Sequence, residues 1–512
     1  MARSTLLLLA FVLSVLTLLA APRPFASPSA SAQSAPVRVD DPTQPSAPAN
    51  TLTVQNLNDS GPGSLRQAIA DAQPGDTINF DDSLDEQTIV LSSTLQIDKD
   101  MTIDPSVTRI RVSGNDTVRV FDIAGSPQVT MRKLIIIHGN AASGYGGGIN
   151  VGSGLVTLDR CGLSQNSAAQ GGGFYVGPLG TLKIEGCIIG FNSAANFGGA
   201  GYNEGLLSIS ANTLIRFNDA FFGGSAIWNS ASGTLSIGSA REITPTTISD
   251  NTSSGAFFGT ILNRGVLTMT DTVVFSNTVP GGQGGGVQNF GTASIAYSSI
   301  VGNRAAFCAG ICDYGALTLA NSSVLSNSAT TAGGIEISGT LLLVNSTLAF
   351  NHANNSGSAI HTDTAFSVTI INTTIVSNSA GNGGAAIALA GSGIFAVKNT
   401  LLAFNSPDNC DLPLNSLGHN LESANSCFLF ASGDLTSTNP LLGPLADNGG
   451  PTLSFALLAG SPAIDAGANA GCPGIDQRGA LRPAGVRCDI GAYEFGAILR
   501  QYQFLPLLTR NP

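Results

Sequence analysis

The segment GGIEISGTLLLVNSTLAFN, Gly333 to Asn351, recurs in close variants along most of the chain. GGGFYVGPLGTLKIEGCIIGFN (Gly171 to Asn192) lies upstream of it and GGAAIALAGSGIFAVKNTLLAFN (Gly383 to Asn405) downstream. A repeat at a fixed period restricts the fold more than any local propensity does. With the closing Asn as a marker, the positions are 140, 166, 192, 218, 251, 277, 303, 327, 351, 378 and 405, spaced by 24 to 27 residues except for 33 between 218 and 251. Helical repeats of this length would show a 3.6 period, whereas these alternate and turn on Gly and Asn.

Alignment on the Asn exposes columns. Three residues before it every position is aliphatic, from Ile137 and Leu163 to Ile375 and Leu402. Five before it stand Cys161 and Cys187, then only Ser or Thr from Thr213 to Thr400. Both columns share one strand face, because side chains alternate. Six before it, on the other face, Asn321, Asn345, Asn372 and Asn399 suggest an amide ladder. Like residues stacked on like, at ~4.8 Å per step, describe a parallel β-helix. The fold class expected is therefore all-β: a single right-handed parallel β-helix of roughly 11–13 coils, each of 24–27 residues. The Gly-Gly pairs serve its tight corners, and residues near Gly238 to Thr247 form an inserted loop.

The ends differ from the middle. Arg3, the apolar run Leu6 to Ala21 and Ala30-Ser31-Ala32 read as an export signal over residues 1–32; an uncleaved anchor is the other reading. Residues 33–50 are a linker rich in Pro, Ser and Ala. Residues 51–87 read as an N-terminal β/α cap: strands at Thr51 to Val54 and Thr77 to Phe80 flank a short helix that starts at a Ser64/Gln67 capping box and runs through Leu65, Ala68 and Ile69. The coils occupy 88–407, a disulfide-tied C-terminal cap 408–496, and a tail 497–512. No coil is expected between Asp408 and Phe430.

Eight cysteines fit an oxidising compartment. Cys161/Cys187 share a column of adjacent coils at a spacing a disulfide accepts. Cys308/Cys312, Cys410/Cys427 and Cys472/Cys488 are local pairs, and none has the spacing of a structural zinc site. Only 11% of residues are charged and 43% are hydrophobic, so most of the chain should fold. With 22 Lys and Arg against 33 Asp and Glu, the net charge of −11 argues against nucleic acid or an anionic membrane as partner. No segment of the mature chain reaches the length of a membrane span, and a monomer is expected.

Three stretches resemble known families. Coils such as Gly333-Gly334-Ile335 with Phe350-Asn351 resemble polymorphic outer-membrane-protein repeats, which form right-handed parallel β-helices. Asn439 to Phe495 resembles the choice-of-anchor Q domain through Asn439-Pro-Leu-Leu-Gly, Asp447-Asn-Gly-Gly-Pro-Thr, Gly460-Ser-Pro-Ala-Ile-Asp, Asp476-Gln-Arg-Gly and Cys488-Asp-Ile-Gly-Ala-Tyr-Glu. Gly63-Ser-Leu-Arg-Gln-Ala-Ile is similar to the CSLREA-type segment, with Gly63 in place of its Cys. The resemblances imply an exported bacterial protein of the cell envelope or outer surface and bring no catalytic residue.

Chemistry is thin. Acids are scattered over the coils, and the best constellation is Glu336 and His361, stacked on consecutive coils, with Asp363 two residues on. On an outward face these three could bind a cation or act as acid and base. His138, His352 and His419 have no partner in register, and Arg482 to Arg487 faintly echoes a pectate-lyase arginine motif inside the C-terminal cap. No catalytic residue, cofactor or metal site is assigned, and no calcium repeat or phosphate loop is present. The sequence favours a structural, adhesive or glycan-binding role, with extracellular polysaccharide or another cell surface as partner. The alternative is a polysaccharide lyase or glycoside hydrolase of the pectin-lyase-like class.

Overall fold

The computed structural model describes residues 49–499 apart from 106–108, 239–243 and 256. The predicted signal, most of the linker and of the tail, and half of the inserted loop lie outside the described residues. The rest is a right-handed parallel β-helix of about 13 coils. Each coil walks three sides. In the coil that starts at Gly333, strands Ile335–Ile337 and Thr340–Val344 lie in a 26-stranded sheet. Thr347–Ala349 belongs to a 14-stranded sheet and His352–Ala353 to a 10-stranded one. The steps from coil to coil in these three sheets are parallel pairings, in register in most coils, as for Thr340 to Val344 against Ser367 to Ile371, and shifted at a few irregularities such as that between Val151 and Ser153.

Alternation along each strand fills the interior. Ile335, Ile337, Leu341, Leu343 and Leu348 are wholly buried or nearly so, and their equivalents in other coils form one continuous apolar core. The Gly-Gly corner has no room for side chains: a Cβ on Gly333 would meet the His352 carbonyl oxygen at 2.5 Å, and one on Gly334 the Ala359 carbonyl oxygen at 2.4 Å.

The marker column itself is the amide ladder. Asn166, Asn192, Asn218, Asn251, Asn277, Asn303, Asn327, Asn351 and Asn378 each donate from Nδ2 to Oδ1 of the next, at 2.9–3.0 Å, as far as Asn405. Each Oδ1 also accepts a backbone N–H from the preceding coil, as Asn327 does from Asn303 at 2.9 Å. The run passes through Asn409 and ends on the buried carboxylate of Glu422. The first coil is one residue out of step: Leu163 pairs with Ile136, so Gly139 rather than Asn140 stands in the column, and Ile136 rather than Ile137 faces the core. A second buried ladder runs through Asn203, Asn229, Asn263 and Asn289 at 2.7 Å per step and reaches Asp313 at 2.6 Å.

The column predicted as a ladder, Asn321, Asn345, Asn372 and Asn399, does something else. All four sit at φ between 46 and 50°. Asn tolerates that left-handed corner better than other residues with a Cβ. Their amides meet only in part, Asn399 donating to Asn372 at 3.1 Å, and mostly hold the C-terminal segment. Asn345 Nδ2 donates to the Ile475 carbonyl, Asn372 Nδ2 to Asp489, and Asn399 Nδ2 to Ala468.

At both ends the stacking reaches further than expected. Thr51–Val54 pairs in parallel with Asp76–Phe80, which pairs with Met101–Ile103, so stacking begins at Thr51. The helix Leu65–Asp71 packs Leu65, Ala68 and Ile69 into the core of this first turn. Ser64 Oγ accepts from the Gln67 N–H, while the Gln67 side chain turns to Asp71 instead of closing the box. At the other end Asp408–Cys410, Asn415–Ser416 and Leu421–Glu422 pair with the last full coil, forming a shortened coil where none was predicted. Residues 439–499 then run back along the outside of the 14-stranded sheet instead of covering the end. Phe455, Leu457, Ala463 and Ile490 pack there on the outward-facing Leu325, Ala349 and Val376.

Disulfides join Cys308 to Cys312, Cys410 to Cys427 and Cys472 to Cys488. Cys161 and Cys187 are free, which corrects the fourth predicted pairing. In an in-register stack neighbouring Cβ atoms point the same way and stay near the ~4.8 Å strand spacing, while a disulfide needs about 3.8 Å. Each thiol donates instead to a backbone carbonyl, of Met131 and of Leu158.

Candidate functional site

Glu336 and His361 sit on the outer face of the first strand of two successive coils, each between two buried residues, and are partners in the sheet register. Stacking therefore brings together residues 25 apart in sequence, and His361 Nδ1 lies 2.9 Å from Glu336 Oε2. Burial works against the imidazolium, but the bond to Glu336 and the fields of Glu336, Asp363 and Asp411 outweigh it and raise the His361 pKa. Asp363 stands in the next outward column, where its Oδ1 accepts the Thr364 N–H. One coil earlier Tyr314 lies below this group, and burial, helped by Glu336 and Asp363, pushes its phenol up to about 12. The three predicted residues thus form one patch. Its chemistry is restricted, because the Glu336 carboxylate is already engaged by His361. Among the described residues, no group of three or more His, Cys, Asp or Glu side chains is placed to hold a metal ion.

The other predicted features are structural. Arg482 is fully buried, donates to the Asp489 and Gly491 carbonyls and lies 3.6 Å from Glu494. Arg478 pairs with Asp476 at 2.6 Å over the Tyr493 ring. His138 does find a carboxylate, Asp116 at 3.2 Å, and His419 bonds to the Ala466 carbonyl.

Sequence reasoning missed what continues from the patch. Along the same outward column, Tyr175, Tyr202 and Trp228 stack on consecutive coils. Ring centroids are 4.4 Å apart from Tyr145 to Tyr175, 6.0 Å from Tyr175 to Tyr202 and 6.0 Å from Tyr202 to Trp228, the last pair nearly coplanar in orientation at 8°. Phe258 links Trp228 to Phe290, and Phe290 stacks on Tyr314 at 4.9 Å. Four of the chain's 7 tyrosines and its single tryptophan belong to this strip, a concentration chance does not explain. Tyr145 is 42% exposed and the other tyrosines are half-buried. Glu204, on the coil of Tyr202, accepts from the Tyr175 hydroxyl, and the Glu336–His361 patch borders the far end of the strip. The signal was present: Tyr175, Tyr202 and Trp228 are one repeat apart, but alignment on the closing Asn hides columns on the glycine side of the coil. A shallow concavity of about 300 Å³ also runs over the second strands, lined by Thr292, Ser294, Thr318, Thr340, Ser367 and Thr369.

No family model and no curated protein matches the chain. Among solved structures it is similar to one described as "Crystal structure of pectate lyase Pel9A", at 12% identity over 87% of this chain and 96% of that one, with a TM-score of 0.29. The parallel β-helix is read from the strand register itself, and no residue or activity is carried over from that likeness.

Proposed function

We propose that this is an exported, surface-associated β-helix that binds polysaccharide without cleaving it, and that the strip from Tyr145 to Tyr314 is the binding face. The strip is the observation that carries the reading. Tyr145, exposed at 42%, and the half-buried Tyr175 and Tyr202 offer ring edges with polar tips on consecutive coils, backed by the buried Trp228, a combination that suits sugar rings with their C–H faces and hydroxyl edges. Three disulfides fit an oxidising compartment. The likeness of Asn439 to Phe495 to choice-of-anchor Q domains supports the cell surface as destination.

Affinity electrophoresis through gels that contain single polysaccharides tests the reading. The protein should be retarded by at least one, and Tyr145→Ala with Tyr202→Ala should weaken binding about tenfold for each ring lost, the equivalent of about 1.4 kcal/mol. Unchanged retardation of the double variant would overturn it. The patch at Glu336, His361 and Asp363 favours a second reading, a lyase or hydrolase. Release of reducing or unsaturated sugar ends that is abolished in Glu336→Gln would establish that reading instead.

A further inference from the structure

Arg264 lies in the middle of the strip, on the coil between those of Trp228 and Phe290. Its guanidinium carbon is 5.4 Å from the Trp228 ring centroid and 5.5 Å from that of Phe290. Several arginines have carboxylate partners, Arg66 with Asp59, Arg111 with Glu86 and Arg119 with Asp122, whereas Arg216, over the Phe217 ring with a buried Nε that makes no hydrogen bond, resembles Arg264 but lies outside the strip. Arg264 has none among the described residues, and its buried Nε makes no hydrogen bond. A half-buried guanidinium set between two rings keeps its charge, and no carboxylate among the described residues answers it.

We infer that Arg264 is the anion-binding point of the aromatic strip, so that the polysaccharide bound there carries carboxylate or sulfate groups. This rests on the polysaccharide reading above. The rings hold sugar faces and the guanidinium takes one acidic substituent in charge-assisted, bidentate fashion. The rest of the molecule works against indiscriminate capture of polyanions, because the net charge is −11 and carboxylates stand on either side of Arg264 along the strip, Glu204 two coils before it and Glu336 three coils after it. One cation midway therefore selects a glycan with spaced charges over nucleic acid, whose continuous phosphates demand many.

The test is affinity electrophoresis with two polymers on one backbone, carboxymethylcellulose and neutral hydroxyethylcellulose. The full chain should bind the charged polymer about tenfold more tightly, the size of one charge-assisted contact. Arg264→Gln should remove that preference, so that the charged and the neutral polymer bind equally. Arg264→Lys retains the charge and should keep part of the preference, which separates charge from ring packing. Equal binding of both polymers by the wild type, or an unaltered preference in Arg264→Gln, overturns the assignment of Arg264 and leaves the polysaccharide reading standing. Loss of preference in a folded Arg264→Lys variant likewise overturns the charge assignment. Binding of neither polymer, by a protein with an intact melting transition that no polysaccharide of the panel retards, overturns both.

Discussion

At Asp313 a ladder of neutral amides meets a carboxylate. Asn289 donates to its Oδ1, while the buried Oδ2 has no partner. The next coil offers Ile337 in place of another Asn. Burial pushes the Asp313 pKa from 3.8 to about 6. The folded state thus holds its proton more tightly than the unfolded chain does. Stability from this group is present below about pH 4, falls as pH rises towards about 6, and stays lower above that. Asn289 shows what an amide does at such a position, its Nδ2 reaching the Gly291 and Ala316 carbonyls. Asp313→Asn should therefore stabilise the protein at pH 7 by on the order of 2 kcal/mol, and the gain should vanish in urea titrations near pH 4. The main ladder gives the opposite case. Asn327 Oδ1 accepts both the Asn303 N–H and the Asn303 amide, and its Nδ2 donates to the Ile300 carbonyl. Asn327→Leu strips buried donors of their acceptor and should cost on the order of 3 kcal/mol, seen as a lower denaturation midpoint.

The element that most changes the picture is the segment 439–499. It reaches across several coils, from the Asn321 carbonyl, which accepts from Thr452, to Asn399, whose carbonyl accepts from Gly491. Gln477 joins it to Thr347 at 2.6 Å, and the Ala492 N–H to Thr374. Its shape depends on the buried charges Asp476, Arg478, Arg482 and Glu494. Removing one partner of such a set strands the others in a low dielectric, which is far more costly than never having had them. Arg482→Ala should loosen the segment by about 3 kcal/mol or more. Amide exchange should then rise across 439–499 and along the outer face of Leu325, Ala349 and Val376, with protection unchanged in coils before Asn321. Uniform loss of protection would contradict a segment docked as a unit.

Across the whole stack, stability comes from neighbours: every coil is covered by the one before and the one after, so the first turn needs a separate cover. The helix Leu65–Asp71 supplies it, with Leu65 fully buried. Leu65→Asp should uncover the core of the first turn and the outer edge of Thr51–Val54, which pairs with no further strand among the described residues. Such edges pair with other chains. Concentration-dependent self-association in size-exclusion chromatography is the expected result, with far-UV circular dichroism that still shows β-structure. A variant that stays a single species would show that the helix is not the cover.

How much of this was legible follows from where the information sits. The aliphatic column, the Ser/Thr/Cys column and the period were plain, because every coil repeats the same demand and side chains alternate with period two. The pairing of Glu336 with His361 was legible for the same reason. The purpose of the Asn columns was not: an Asn repeated each coil satisfies either a buried amide ladder or a left-handed corner, and only the backbone at each position distinguishes them. The free thiols of Cys161 and Cys187 were legible in principle, since a shared column keeps their Cβ atoms parallel at the strand spacing, which the Cα distance alone does not reveal. The sequence alone determined a parallel β-helix and the side chains each column would stack. Tertiary structure decided which columns turn inward, where residues 439–499 dock, and that rings distributed from Tyr145 to Tyr314 meet on one face around Arg264, because these depend on backbone direction and on contacts between distant coils.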